Sequence, residues 1–185
     1  MNAETVIPIN KHNSNENILA TELGTINKYS KDNNVCCDYY LNVNNNFSIK
    51  TLEKLGIKRI CLSPEIKDFD KINSNIDIEM IIYGRLELMI TKYCPLNTLI
   101  NKDDKKCNLC LNKDRYYLKD DKNRRYPLIH NKHITHIMHH KNLNLFNDVY
   151  EYKNRGVNCF RLELFDENKD EMLCLISKLK GALYE

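Results

Sequence analysis

Residues 35–63 read VCCDYYLNVNNNFSIKTLEKLGIKRICLS, and this stretch decides the fold. Its two ends, 35–43 and 57–63, are rich in β-branched, aromatic and other apolar residues, which predicts two strands. Between them, residues 48–56 carry apolar side chains at helical spacing and finish at Gly56, a residue type that commonly ends helices. A strand, a helix and a second strand joined by short links form a unit with parallel strands. The stretch therefore predicts an α/β protein.

The same alternation continues along the chain, so we expect about five parallel strands. The further predicted strands are 78–84, 134–140 and 157–164, and the further predicted helices are 143–156 and 169–184. A complete (β/α)₈ barrel needs about 200 to 250 residues, more than the 185 present. The pattern thus predicts part of a TIM-like (β/α) barrel with a cysteine-containing insertion at 92–133, where 115–120 and 124–129 predict a hairpin. Polar residues 1–20 predict a frayed terminus, which leaves 21–185 as the barrel domain.

Composition narrows the class of protein. Hydrophobic residues make up 42% of the chain, which is enough for a core. A net charge of +3, from 28 basic and 25 acidic residues, permits a nucleic-acid partner but does not require one. There is no signal-like apolar segment in residues 1–20 and no apolar run of about 18 residues. We therefore expect a cytoplasmic protein with no membrane span, in which thiols stay reduced.

Three of the eight cysteines lie together in the polar stretch KYCPLNTLINKDDKKCNLC, residues 92–110. Cys107 and Cys110 form a C-x-x-C pair, whose two sulfurs converge on one metal ion inside a tight turn. Cys94 follows a predicted strand and is the expected third ligand. Three thiolates are one short of a tetrahedral site, so the spacing predicts a metal centre whose fourth ligand comes from elsewhere in the chain. The other five cysteines, Cys36, Cys37, Cys61, Cys159 and Cys174, lie in apolar stretches and are expected to fill the core.

Polar residues follow several of the predicted strands, at the edge where α/β folds bind their ligands. Four of them are candidate substrate-binding residues, namely Asn42, Asn45, Tyr83 and Arg85. Two carboxylates, Glu65 and Glu79, are weaker candidates for general acid or base. The chain contains neither the H-E-x-x-H nor the G-x-S-x-G pattern of known hydrolases. The residues alone therefore favour no particular hydrolytic mechanism.

Several short motifs occur in an order and spacing that resemble the collagenase-like peptidase family U32, over about residues 20–178. The motifs are DYYLNVNN, LGIKRICLSPE, IEMIIYGRLELMITKYCP, YYLKD, YPL, IMHHKNLNL and GVNCFRLEL. The long clostridial type is the most similar, and the resemblance places this chain at the C-terminal part of the barrel. Members of the family are about twice as long or more, so the resemblance implies that the front half of the barrel is absent here.

The resemblance also implies a function and a cofactor. Some family members are proteases that act on collagen or gelatin, and others hydroxylate RNA with an iron–sulfur cluster on four cysteines. In this chain Glu87 stands where the family block has a cysteine, and His133 stands where the fourth cysteine falls. The implied site is Cys94, Cys107, Cys110 and His133, holding a [4Fe–4S] cluster or, alternatively, zinc. His130 and His136 are rivals for the fourth position.

We therefore expect a truncated U32-family protein, a collagenase-like protease by resemblance, whose independent activity is open. One alternative is part of an iron–sulfur-dependent RNA hydroxylation factor, and another is a non-catalytic binding module stabilised by zinc. The substrate is accordingly a peptide or an RNA. Half a barrel leaves strand edges unpaired, so a separate chain carrying the front half is an expected partner.

Overall fold

The computed structural model describes residues 16–66, 69–99, 116–131 and 134–184. The strands are β1 Asn17–Ala20, β2 Asn34–Cys37, β3 Arg59–Cys61, β4 Asp77–Gly84, β5 Glu87–Thr91, β6 Tyr116–Lys119, β7 Arg125–Asn131, β8 Ile134–Met138, β9 Leu143–Asn144 and β10 Cys159–Glu163. The helices are α1 Leu23–Tyr29, α2 Asn46–Glu53, α3 Pro95–Leu99, α4 Val149–Asn154 and α5 Lys169–Tyr184. None of the helices in these ranges is long and apolar enough to cross a membrane.

The chain forms two compact units, where the sequence predicted one domain over 21–185. The first unit comprises Met1–Ile81, Asn147–Arg161 and Gly181–Glu185. The second comprises Ile82–Phe146 and Leu162–Lys180. The boundaries fall inside β4 and β10, so both units are built from separate stretches of the chain.

A largely parallel sheet runs in the order β1-β2-β3-β4-β10, and β9 pairs with β4. The pairs β1–β2, β2–β3 and β3–β4 are all parallel. The predicted strand–helix–strand unit is confirmed, because α2 connects β2 to β3. The expected frayed terminus is wrong for residues 17–20, since β1 pairs with β2 over its full length. A mixed α/β fold with parallel strands is thus what the sequence predicted.

The core of the first unit lies against one face of this sheet. Alternate residues of the central strands, such as Val35, Ile60 and Ile78, point to that face and are fully buried. Ile26 of α1 and Ile49 of α2 close over them. Each helix therefore contributes an apolar stripe, as expected for helices that cover a parallel sheet.

The predicted strand 35–43 is shorter in the structure and ends at Cys37. The Asp38 carboxylate accepts a hydrogen bond from the N–H of Tyr39 at 2.8 Å and starts a single 3₁₀ turn. The turn finishes at Asn42, whose φ of +51° lies in the left-handed region that asparagine tolerates. The end of β2 is therefore determined by local side-chain capping and not by hydrophobic pattern.

The second unit contains a four-stranded sheet in the order β5-β8-β7-β6. The predicted hairpin is confirmed, because β6 and β7 are antiparallel. The prediction that 134–140 is a parallel strand is wrong: β8 ends at Met138 and pairs antiparallel with β5 and β7. Only residues 132 and 133 separate β7 from β8, and a link that short joins antiparallel neighbours, whereas a parallel pair needs a crossover.

Two of the predicted helices differ in outcome. α5 is confirmed over the predicted range. The predicted helix at 143–156 begins later, because Leu143 and Asn144 pair with β4 and the N–H of Leu145 bonds the Ile82 carbonyl at 2.8 Å. These backbone groups are already paired outside a helix, so regular helix is confined to α4.

Candidate functional site

Charged side chains gather on the sheet face opposite the core of the first unit. In the parallel register Arg59 is paired with Asp77, and Cys61 with Glu79, so these four side chains point to one face. Asp38, immediately after β2, and Arg161 in β10 contact each other on this face at 2.7 Å. We call Asp38, Arg59, Asp77, Glu79 and Arg161 the charged face. It brings together residues that are up to 123 positions apart in sequence.

Arg161 is the centre of the charged face. Its Nη1 donates to Asp38 Oδ1 at 2.7 Å, and its Nη2 forms a close ion pair with Glu79 Oε1. Burial lowers the pKa of the Arg161 guanidinium, but the hydrogen bond to Asp38 and the nearby negative charges outweigh burial and raise it. Arg161 is therefore a fixed cation held between two carboxylates.

The ion pairs of Arg161 join parts of the sheet that are far apart. β2 and β10 are three strand spacings apart, which is about 14 Å in a flat sheet. Arg161 of β10 therefore links two carboxylates from different strands, Glu79 in β4 and Asp38 immediately after β2.

Glu79 is one of the few buried charged residues, with 7% of its surface exposed. Its Oε2 accepts a hydrogen bond from Arg59 Nη1 at 3.4 Å, in addition to the Arg161 pair. Arg59 is held more loosely, because its side chain is 41% exposed and its other ion pair, to Asp77, spans 3.8 Å. One arginine therefore fixes the Glu79 carboxylate, and the other leaves donor N–H groups accessible beside it.

Three thiols lie among these charges. Burial raises the pKa of Cys61, and the charge of Glu79 adds to that effect, while Arg161 opposes it. Burial likewise raises the pKa values of Cys36 and Cys159 against the opposing charge of Arg59. A raised thiol pKa leaves little thiolate at neutral pH. These cysteines are thus protonated thiols that line the charged face, and they are poor nucleophiles.

The predicted substrate residues Asn42 and Asn45 have structural roles. Asn42 ends the 3₁₀ turn in the left-handed conformation. Asn45 is the N-cap of α2, and its Oδ1 accepts the N–H of Ser48 at 2.8 Å. Glu65 is exposed on a turn after β3, where its N–H donates to Ser63 Oγ. The structure does not bring Glu65 into the charged face, whereas the other predicted carboxylate, Glu79, lies within it.

Tyr83 and Arg85, the other two predicted substrate residues, lie in the second unit. The Tyr83 hydroxyl donates to Glu167 Oε1 at 3.0 Å and accepts from Asn142 Nδ2 at 2.9 Å. Burial opposes ionisation of Glu167, yet hydrogen bonds from backbone N–H groups and from Tyr83 lower its pKa. Together these residues line an open cleft of about 350 Å³. Arg85 donates to the His139 carbonyl at 3.0 Å.

Of the predicted metal ligands, Cys94 alone falls within the described ranges, and Cys107, Cys110 and His133 lie outside them. The Cys94 thiol is half-buried and accepts the N–H of Asn97 at 3.5 Å. The rival His136 pairs through Nδ1 with Glu87. Among the described residues, no group of three or more histidine, cysteine or acidic side chains is placed to hold a metal ion.

The other rival for the fourth position, His130, bonds through Nδ1 to the hydroxyl of Thr135 at 3.0 Å. Burial lowers the pKa of His130, and the neighbouring His136 contributes in the same direction. His130 is therefore paired within the sheet of the second unit.

A family model described as peptidase family U32 matches residues 17–175. The chain belongs to peptidase family U32. The match covers β1 to β10 and the first part of α5, and so includes every residue of the charged face. No curated protein matches the chain, and no solved structure does.

Sequence reasoning identified only Glu79 of the five members of the charged face of this U32 chain, and missed Asp38, Arg59, Asp77 and Arg161. A signal for Arg161 was present, because it interrupts the apolar strand CFRLEL with a charge. A charged residue inside a buried strand points to a polar partner on the same face. The partner itself was out of reach, since Asp38 lies three strands away.

Proposed function

We propose that this U32 chain is a peptide-hydrolysing domain whose catalytic centre is the charged face. The observation that carries the proposal is the Asp38–Arg161–Glu79 network, in which Arg161 holds a buried carboxylate at a fixed position on the charged face. Fixed carboxylates beside an accessible cation are the groups that hydrolysis of a peptide bond needs. Membership of the family supports the same substrate class.

In the proposed mechanism Glu79 is the general base and then the general acid. Glu79 takes a proton from a water molecule as the water oxygen attacks the peptide carbonyl carbon. The developing oxyanion is stabilised by Arg59, whose guanidinium lies 3.4 Å from Glu79 and is partly exposed. When the C–N bond breaks, the proton passes from Glu79 to the leaving amine. The products are a carboxylic acid and an amine, and Glu79 is regenerated.

Arg161 is a positioning residue in this proposal. It already contacts two carboxylates through separate nitrogens, so its role is to orient Glu79 and not to bind substrate. Asp38 in turn holds Arg161. The parallel order of β1 to β4 supports the further proposal that these strands are part of a (β/α) barrel whose interior is the charged face. A separate chain that pairs with β1, the terminal strand of the described sheet path, is the proposed source of the remaining strands.

The test is cleavage of gelatin and of fluorogenic peptides by the wild type and by Glu79→Gln. Glu79→Gln is expected to abolish cleavage while the circular dichroism spectrum is unchanged. Glu65→Gln is the matched control, because Glu65 is an exposed carboxylate outside the charged face, and it is expected to cleave at the wild-type rate. If Glu79→Gln cleaves peptides at the wild-type rate, the proposed centre is wrong.

The metal centre remains a separate proposal, supported by three cysteines within residues 92–110 and by the hydrogen bond from Asn97 to the Cys94 sulfur. No step of the proposed hydrolysis passes through it. Anaerobic purification is expected to give iron and sulfide, both lost in Cys94→Ser. One zinc per chain instead would favour the zinc-stabilised binding module. An iron–sulfur protein that cleaves no peptide would favour the RNA hydroxylation factor.

A further inference from the structure

A second cavity lies in the first unit, on the side of the sheet that carries the helices. Its volume is about 440 Å³, within the range of ligand-binding pockets. Ile49 of α2, Leu62 after β3 and Ile72 form its floor, and all three are buried. The charged face lies on the opposite side of the same sheet, so this cavity is a distinct surface of the unit.

Two phenylalanines form the apolar walls of the cavity. Phe47, in the first turn of α2, is 81% exposed. An aromatic side chain of this size would contribute favourable free energy if a ligand buried it. Phe69 is held in place, because its ring stacks on Tyr152 at 5.9 Å and its carbonyl accepts from Arg155 at 2.8 Å. The cavity is thus preformed on one side and offers an unburied aromatic surface on the other.

Among the described residues that line the cavity, Asp70 is the one charged side chain, and the rest of the rim is polar. Asp70 is exposed and makes no ion pair with any described residue. The guanidinium of Arg155 lies 5.6 Å from the centre of the Phe69 ring, and it is paired with Glu151 at 2.6 Å. The side-chain amide of Asn46 makes no hydrogen bond within the described ranges, and an amide can both donate to and accept from a peptide backbone. The rim therefore complements a positively charged polar group.

From these contacts we infer that the cavity is a peptide-binding subsite, apart from the catalytic centre, that takes an apolar side chain with a lysine or arginine next to it in the peptide. The apolar side chain packs on Phe47 and the buried floor, and the basic group pairs with Asp70. The inference deepens the proposed function, because it rests on a peptide substrate. It predicts a preference for apolar–basic sequences over apolar–acidic ones.

The test measures binding separately from hydrolysis, using the Glu79→Gln protein so that the peptide stays intact. The probes are acetyl-Phe-Lys-amide and acetyl-Phe-Glu-amide, titrated by NMR. Phe47→Ala is expected to weaken binding of the lysine peptide by about fivefold or more, because it removes the aromatic wall. Asp70→Asn is expected to remove a preference for lysine over glutamate of about three- to fivefold.

Matched controls come from exposed residues elsewhere in the first unit. Tyr150→Ala removes a 63% exposed aromatic that does not line the cavity, and Asp32→Asn removes an exposed carboxylate. Both are expected to bind the lysine peptide as tightly as the parent protein. Equal binding by Phe47→Ala and Tyr150→Ala, or equal affinity for the two peptides, would overturn the inference.

The outcomes separate this subsite from the catalytic proposal. A protein that binds with the expected preference but cleaves no peptide keeps the subsite and overturns the proposed centre. A protein that needs Glu79 for cleavage, yet is indifferent to Phe47 and Asp70, keeps the centre and overturns the subsite.

Discussion

Replacing Arg161 by methionine, which is of similar length but uncharged, is the sharpest test of the charged face. The substitution leaves Asp38 and Glu79, 6% and 7% exposed, without their shared cation. Removing one partner of a buried ion pair costs about 3–5 kcal/mol, because the remaining charge is buried and uncompensated. Arg161 is partly exposed and Arg59 still contacts Glu79. We therefore expect the lower end, a loss of about 3 kcal/mol in the free energy of unfolding.

Urea denaturation followed by circular dichroism measures this loss. With a slope of about 2 kcal/mol per molar urea, the midpoint is expected to fall by about 1.5 M. Arg59→Met is the matched control, since Arg59 is on the same face with longer and more exposed contacts. Its expected loss is about 0.5–1 kcal/mol, as for exposed ion pairs.

A double-mutant cycle with Asp38→Asn identifies the cause of the loss. If Asp38 and Arg161 act through their 2.7 Å contact, the double variant loses less stability than the sum of the single variants. Additive losses, or an Arg161→Met no less stable than Arg59→Met, would refute the reasoning that Arg161 compensates buried carboxylates.

Three further predictions concern backbone conformation, thiol chemistry and pH. Gly84→Ala is expected to destabilise the second unit by about 2–5 kcal/mol, because φ at this residue is +135° and an added Cβ would lie 2.2 Å from the Glu163 carbonyl oxygen. Amide hydrogen exchange measures this loss of stability, and protection equal to that of the wild type would contradict the prediction. Burial raises the pKa of Cys37 from 9.0 to about 12, so at pH 8 its thiolate fraction is about a thousandfold below that of an ordinary thiol. Mass spectrometry should therefore find that a thiol-reactive reagent labels Cys37 far more slowly than the exposed Cys174. Comparable labelling rates would count against the raised pKa. The pKa of Glu167 is lowered from 4.5, so its stabilising contribution is present above about pH 4.5 and is lost as pH falls through the folded-state pKa. Denaturation of Glu167→Gln between about pH 3 and pH 7 should therefore show a flatter pH dependence than the wild type, and an unchanged profile would argue against the lowered pKa.

Local patterns predicted those parts of the fold that depend on local interactions. α5 and the unit formed by β2, α2 and β3 were predicted because hydrophobic periodicity and a helix-ending glycine act over a few residues. β8 was assigned to the wrong sheet because the composition of an apolar strand is the same in a parallel and in an antiparallel sheet. The two-residue link before β8 is what distinguishes them, since a link that short joins antiparallel neighbours.

The candidate site was predicted in part for a related reason. Glu79 was predicted, together with Glu65, as a weak candidate for general acid or base, because a desolvated carboxylate can take that role. Its companions Arg161 and Asp38 are brought to it by the order of the strands, which no local pattern encodes. Asn45 was assigned to substrate although its spacing from Ser48 is that of a helix N-cap, a local signal that was available.

The ion pair between Asp38 and Arg161 has a consequence for synthesis of the chain. The two residues are 123 positions apart, and a ribosome adds about 5–20 residues per second. At that rate Asp38 leaves the ribosome roughly 6 to 25 seconds before its arginine. During that interval β2, β3 and the first part of β4 are available to pair, but their carboxylates have no arginine from β10 to neutralise them. The central sheet is therefore completed only after β10 emerges, and a nascent chain halted before Arg161 would expose an acidic, unfinished edge to cellular chaperones.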